Sequence, residues 1–578
     1  MRPPRPALAR VSRARRRLAA VGGLDLAALS LGLVGAVATT STVAPMSAGE
    51  PLAKQQVAAI ESGRGTGFHW GPKADAYIGW SNHSNRLVPV YTFGTAGAGP
   101  GIDLNDYLGE KSAYRDAGKV AALYHASPAA TVDAAATYGD QTDLACLQQV
   151  ALETGKKKHI VLFVFDGMDW QTTWAAALAR ADQVAYTSGR GTGLHFQDYA
   201  AGGTSQFGAV VTSPRLEGLK GDVDAQTVGP AGRPEPGGYS REWGGPEPWG
   251  PHKSLGYLIS KPGPGEPAHA YPDSAATATA LCTGQKTYNA AINVLPDGEK
   301  LMTVAHRAQS AGRSVGVVTS VPISHATPAS AYSHNVDRDD YQDLTRDLIG
   351  RPSVSHPTTP LPGVDVLLGA GWGANARNNS GQGGNFVPGN RYLADADLKA
   401  IDVAHGGPYV VARRTAGQAG SDVLAAATER AVKERRRLFG FFGVKEGHLP
   451  FRTADGDFKP VVGKTPAEVY SDADVRENPT LAQMTTAALT VLSQNEKGFW
   501  LMVEAGDVDW ANHDNNLDNS VGAVYAGDDA VKAVTDWVEA HSNWDETLLI
   551  VTADHGHLLV LDDPSVLLGS ARPPAPKP

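Results

Sequence analysis

A chain of 578 residues with 42% hydrophobic composition is long enough to bury one large core or two ordinary ones, so a globular enzyme is the default class. Its formal net charge of -9 excludes a general attraction to nucleic acid or anionic lipid, and an anionic substrate would have to be drawn by local charge such as bound metal. Two cysteines, Cys146 and Cys282, are too few for a disulfide framework and form no Cys-x-x-Cys zinc spacing; one bridge or two unrelated thiols both fit.

The chain opens with MRPPRPALARVSRARRRLAAVGG, then an apolar stretch and small residues ending at Ala36-Val37-Ala38. That order predicts a signal peptide over residues 1–38, extending to about 48 at most, and an exported, periplasmic or extracellular protein. The uninterrupted apolar part is about 13 residues against the roughly 20 of a spanning helix, which disfavours a retained membrane span. Residues 49–156 are polar and Gly-rich, closing on a loop and then a helix within ATVDAAATYGDQTDLACLQQVALETGKKK; they read as a surface extension without chemistry of their own.

From residue 157 the pattern changes. HIVLFVFDGMD is a short run rich in Val, Ile and Phe that halts at Asp166-Gly167, as expected of a strand buried on both faces of a parallel sheet. SVGVVTS, VDVLLGAG, GFWLMVEAG and TLLIVTADHGH repeat the type, with helical segments DVLAAATERAVKERRRLF and PTLAQMTTAALTVLSQ among them. The alternation predicts an α/β fold over 157–578: a doubly wound, mostly parallel sheet flanked by helices, with ligands bound beyond the carboxyl ends of its strands. Residues 213–268, and again 373–390, are Gly- and Pro-rich or polar and read as an inserted loop or lid and a second surface loop.

Three predicted strands end in chemistry: Asp166; Glu504 through Asp509 to His513; and Asp554-His555-Gly556-His557. Each alone also suits a helix cap. Together they bring carboxylates and imidazoles without thiolate to one sheet edge, a donor set for zinc, cobalt or magnesium and for a two-metal phosphoryl transfer. In YPDSAATATALCTGQKTYNAAINV, the Asp273-Ser274 pair precedes a helix-forming run, which places Ser274 at a positive helix N-terminus; a plain cap is the competing reading.

The ordered motifs FDGMD, PDSAATATALCTGQKTYNAAI, SHATPASAYSHNVDR, VEAGDVDWANHDNN and VTADHGH resemble the alkaline phosphatase family from about residue 158 to 557. The resemblance implies hydrolysis of small phosphate monoesters through a phosphoserine on Ser274, with Asp273 beside it and Arg338 clamping the phosphate. It implies one zinc held by Asp166, Asp554 and His555, and a second by Asp509, His513 and a further His, with His557 orienting the Asp ligand. A third metal would use Asp166, Thr327 and Glu504. His325 and Trp510 stand there where the best-known bacterial pattern has Asp and Lys, so zinc or cobalt competes with magnesium. Pairing as a homodimer is implied by resemblance alone.

The family takes its further zinc His from beyond the DHGH motif, whereas the residues after His557, LLVLDDPSVLLGSARPPAPKP, contain none. The expectation is therefore a C-terminally truncated chain whose second zinc site lacks one ligand, with His69, His125 and His448 as surface or packing residues. Two alternatives follow: a phosphodiesterase or sulfatase-type hydrolase built on the same two-metal core, and a non-catalytic remnant that binds metal or phosphate without turnover.

Overall fold

The computed structural model describes residues 83–568, apart from 380, 461–466, 515, 560, 562 and 563. The expected signal peptide and His69 lie outside the described residues.

The chain begins with a two-residue strand β1 (His83–Ser84), β2 (Val88–Phe93), β3 (Gly139–Asp140) and helix α1 (Gln141–Glu153). It continues through β4 (His159–Phe165), α2 (Trp170–Ala181), β5 (Gln206–Val211), a hairpin of β6 (Leu216–Asp222) and β7 (Thr227–Pro236), and α3 (Ser274–Thr283). Next come β8 (Ser314–Pro322), α4 (Ala326–Ser330), α5 (Tyr341–Ile349), β9 (Val366–Ala370) and a small ribbon of β10 (Asn375–Ala376) with β11 (Gly389–Asn390). The remainder comprises β12 (Tyr409–Arg413), α6 (Gly420–Glu434), β13 (Arg437–Phe441), α7 (Leu481–Leu492), β14 (Phe499–Ala505), α8 (Asp507–His513), α9 (Leu517–His541), β15 (Thr547–Ala553) and β16 (Gly556–His557).

Ten strands form one sheet in the order β12-β13-β9-β8-β14-β4-β15-β2-β5-β3. From β12 to β15 every neighbouring pair is parallel, and only β2 runs against the rest. This is the expected mostly parallel sheet flanked by helices. Every residue of β4, β14 and β15 is buried, because a central parallel strand is covered on both faces and tolerates little but apolar side chains.

Three expectations change in detail. The stretch 83–153 is not a surface extension: β2 pairs with β15 inside the sheet and with β5 beyond it. VPVYTF carries a proline and lies among Gly-rich loops, so its six buried residues did not read as a strand. The helix expected through DVLAAATERAVKERRRLF stops at Glu434, where Arg435 turns left-handed (φ 51°), and the last apolar residues become β13. The 213–268 insertion is also not all loop, since β6 and β7 pair as an antiparallel ribbon. Cys146 and Cys282 are both free thiols, the first exposed and the second buried.

Candidate metal and phosphate centre

The strand order decides what meets. β14, β4 and β15 are neighbours in register, with Ala505 and Ala553 both opposite Phe165. Their carboxyl ends therefore deliver Glu504, Asp166 and Asp554 to one place, and β8 alongside β14 leads into His325 and Thr327 at the start of α4. All three acids are fully buried.

Burial first, then Asp509 and Glu504, holds the Asp166 carboxyl well above the usual carboxylate range. Asp554 is raised in the same way, by burial and by Asp166. Burial also pushes Glu504 up to about 8, with Asp554 adding to the rise and a hydrogen bond from Thr319 opposing it. Asp166 Oδ2 and Asp554 Oδ2 are buried without a hydrogen-bond partner among the described residues. Buried carboxylates that repel one another, each with one oxygen left without a donor, form a charge distribution that a divalent cation satisfies, so these residues fit a metal.

Ser274 opens α3, whose N-cap is Asp273, accepting from the Ala276 N–H at 2.9 Å. Its hydroxyl lies 3.2 Å from His555 Nε2 and 3.5 Å from Asp166 Oδ1. The same His555 nitrogen is 3.3 Å from Asp166 Oδ1 and 3.5 Å from Asp554 Oδ2, so the expected set Asp166, Asp554 and His555 converges beside the serine. The first-turn N–H groups of α3 add partial positive charge there. Arg338 Nη1 donates to Asp273 Oδ2 at 3.0 Å, which keeps a guanidinium next to the serine.

The second group gathers around Asp509 Oδ1. His557 Nε2 is 2.7 Å away, His513 Nε2 3.4 Å and His83 Nε2 3.5 Å. Burial would raise Asp509, but His513 and the hydrogen bond from His557 hold it well below the usual range. Gly167 is required here: its φ is +72°, and a Cβ would come within 2.8 Å of His557 and 3.1 Å of Asp509.

His83 is the residue that sequence reasoning missed. β1 pairs antiparallel with β16, setting His83 opposite His557. Its Nδ1 makes a 2.8 Å hydrogen bond to the Pro272 carbonyl, so that nitrogen carries the proton and donates, leaving Nε2 as a lone pair. Nε2 lies 2.8 Å from His513 Nε2. An imidazole whose second nitrogen is fixed by a backbone carbonyl is the usual state of a metal-binding histidine. The group expected to lack a histidine beyond His557 thus has one from the N-terminal side.

Around Glu504 the structure gathers Thr319 and Thr327. The His325 ring meets Trp510 edge-on at 5.9 Å, and burial followed by Arg338 takes its pKa down to about 3, which leaves a neutral imidazole. His448 is not a surface residue but is buried between Glu468 and Asp507, with its pKa raised to about 10 by those two partners against burial. His125 is exposed.

Residues 265–570 match the sequence model of the family described as Alkaline phosphatase. Alkaline phosphatase 4 of Bacillus subtilis (strain 168) is 31% identical over 294 residues, 50% of this chain and 50% of that protein. The alkaline phosphatase of Escherichia coli (strain K12) is 31% identical over 293 residues, 49% of this chain and 58% of its own. The chain spans about half the length of these curated relatives. Among solved structures, a cold-active alkaline phosphatase from the psychrophile Shewanella sp. is 23% identical, with coverage of 69% and 68% and a TM-score of 0.40. Thermus thermophilus alkaline phosphatase is also 23% identical, with coverage of 71% and 63% and a TM-score of 0.40.

Proposed function

Since this chain belongs to the alkaline phosphatase family, we propose that it hydrolyses small phosphate monoesters through a phosphoserine on Ser274. The observation that carries this reading is the Ser274 hydroxyl within 3.5 Å of both Asp166 and His555, at a helix N-terminus, with Arg338 one carboxylate away.

In the proposed reaction Arg338 offers its planar fork to two phosphoryl oxygens, and the α3 N-terminus adds partial positive charge. The Ser274 oxygen bonds to phosphorus as the ester P–O bond breaks, and the serine proton ends on the leaving alcohol. Water then adds to phosphorus, the serine–phosphorus bond breaks, and Ser274 regains its proton as inorganic phosphate leaves. Asp166, Asp554 and His555 would hold one zinc, and Asp509, His513 and His83 another. Asp166, Thr327 and Glu504, with His325 beside them, would hold magnesium, zinc or cobalt. A divalent ion bound in these groups lowers the pKa of a hydroxyl or water and neutralises charge on the phosphoryl oxygens. Asp273 and His557 orient Arg338 and Asp509.

His83 counts against the non-catalytic alternative, whose motive was the absent ligand. Export is proposed from the N-terminal sequence alone; among the described residues no helix is long and apolar enough to cross a membrane. Hydrolysis of p-nitrophenyl phosphate by zinc-loaded protein tests the whole reading. Ser274→Ala should lower kcat by on the order of 10³-fold or more; turnover that survives this change would sink the covalent route.

A further inference from the structure

Another cluster of side chains with metal-ligand chemistry lies outside the residues assigned so far. His334, in the turn after α4, Asp347, in α5, and His356, in the loop that follows, bring three donor atoms within 4.8 Å of one another. His334 Nε2 makes a 2.7 Å bond to the Leu301 carbonyl, so that nitrogen carries the proton. Its Nδ1 is therefore a lone pair, and it faces His356 Nε2 at 3.0 Å. Asp347 Oδ2 lies 4.0 Å from the same His356 nitrogen. These separations straddle the roughly 3.3 Å edge of a tetrahedron whose metal–ligand bonds are about 2.0–2.1 Å.

Charge argues for a cation as well. Asp347 is completely buried, and its hydrogen bonds come from neutral groups: the Ser353 hydroxyl at 2.6 Å and the His334 N–H at 3.0 Å. Among the described residues no lysine or arginine is ion-paired with it: Arg346 pairs with Asp343 and Asp397, and Lys300, which acts on Asp347 only through space, bonds the Ser355 carbonyl. A buried carboxylate beside two imidazoles, one of them with its lone pair fixed by a backbone carbonyl and the other able to release its Nε2 proton to make room for a cation, has the donor set of a structural transition-metal site. His356 is partly exposed, so the cluster is reached from solvent on that side.

We propose that His334, Asp347 and His356 bind one zinc-type divalent cation in addition to those of the phosphate centre. The site would staple the 353–356 loop to α5 and to the turn that leads, four residues on, to Arg338. It would act as a structural clamp with no part in the chemistry.

Zinc provides the probe. Crystals of the full chain grown with zinc sulfate and measured above the zinc absorption edge should show an anomalous peak within about 2.5 Å of His334 Nδ1. An empty map there, with peaks at the phosphate centre, overturns the proposal. In solution, His356→Ala should carry one zinc equivalent fewer than the parent after exhaustive dialysis, while kcat for p-nitrophenyl phosphate at saturating zinc stays within about twofold. Equal zinc content in the two proteins would also overturn it. His356→Gln repeats the measurement should the alanine variant fold poorly.

Discussion

Replacing His83 by alanine tests whether the phosphate centre borrows a ligand from the N-terminal side of the sheet. The side chain offers Nε2 to the space shared with Asp509 and His513, while its Nδ1 is tied to Pro272. The β1–β16 pairing is a backbone contact and survives the truncation, so the expected loss is confined to the imidazole. Removal of a residue that merely orients a metal ligand costs about 10–100-fold in affinity, so removal of one of three direct donors should cost at least about 100-fold, or ~2.7 kcal/mol. The assay is a titration of chelator-treated protein in zinc buffers, following bound zinc and p-nitrophenyl phosphate hydrolysis together. One tight equivalent should weaken in His83→Ala, and activity should return at higher free zinc. The exposed His125→Ala serves as control and should titrate like the parent. Identical zinc curves for His83→Ala and the parent would refute the assignment and return His83 to a packing role against His555, on which its ring stacks at 3.8 Å.

Arg338→Lys removes the planar fork and weakens the bond to Asp273; kcat/KM should fall about 10–100-fold, which steady-state kinetics would read. His325→Asp puts a hard oxygen beside Thr327 and Glu504, and the ratio of magnesium- to zinc-supported activity should rise. Without metal, burial pushes the Glu504 carboxyl up to about 8 from its ordinary 4.5. A carboxyl raised on folding stabilises below its unfolded pKa, and that contribution is lost as pH climbs through the folded value. Chelated protein should therefore lose stability between about pH 4.5 and 8, on the order of a few kcal/mol, whereas zinc-loaded protein should not; melting curves across that range decide.

The central strands were legible because burial on both faces leaves a run such as HIVLFVF no alternative to apolar residues. The acids that end them were legible for the complementary reason: Asp166 and Asp554 interrupt apolar runs at the sheet edge, where a buried carboxylate needs a cap, a cation or a ligand to offset its charge. β2 and β13 were not legible. VPVYTF is short, contains proline and borrows its order from β15 and β5, while β13 continues a helical pattern that a left-handed Arg435 cuts off. Local pattern fixes an element only where its environment is the same on every side.

His83 shows the limit more sharply. It sits in SNHSNR, a polar sequence with no periodicity and no second metal-binding residue nearby, so nothing local separates it from an ordinary surface histidine. Its position is fixed by register across more than 470 positions of chain, through the pairing of His83 with His557 and of Ser84 with Gly556. That pairing is possible because β2 enters the sheet beside β15, whose carboxyl end carries Asp554 and His555. A sheet edge gathers side chains from whichever strands reach it, and in this chain the strand beside β15 comes from the N-terminal side, so an imidazole distant in sequence arrives next to Asp509 and His557.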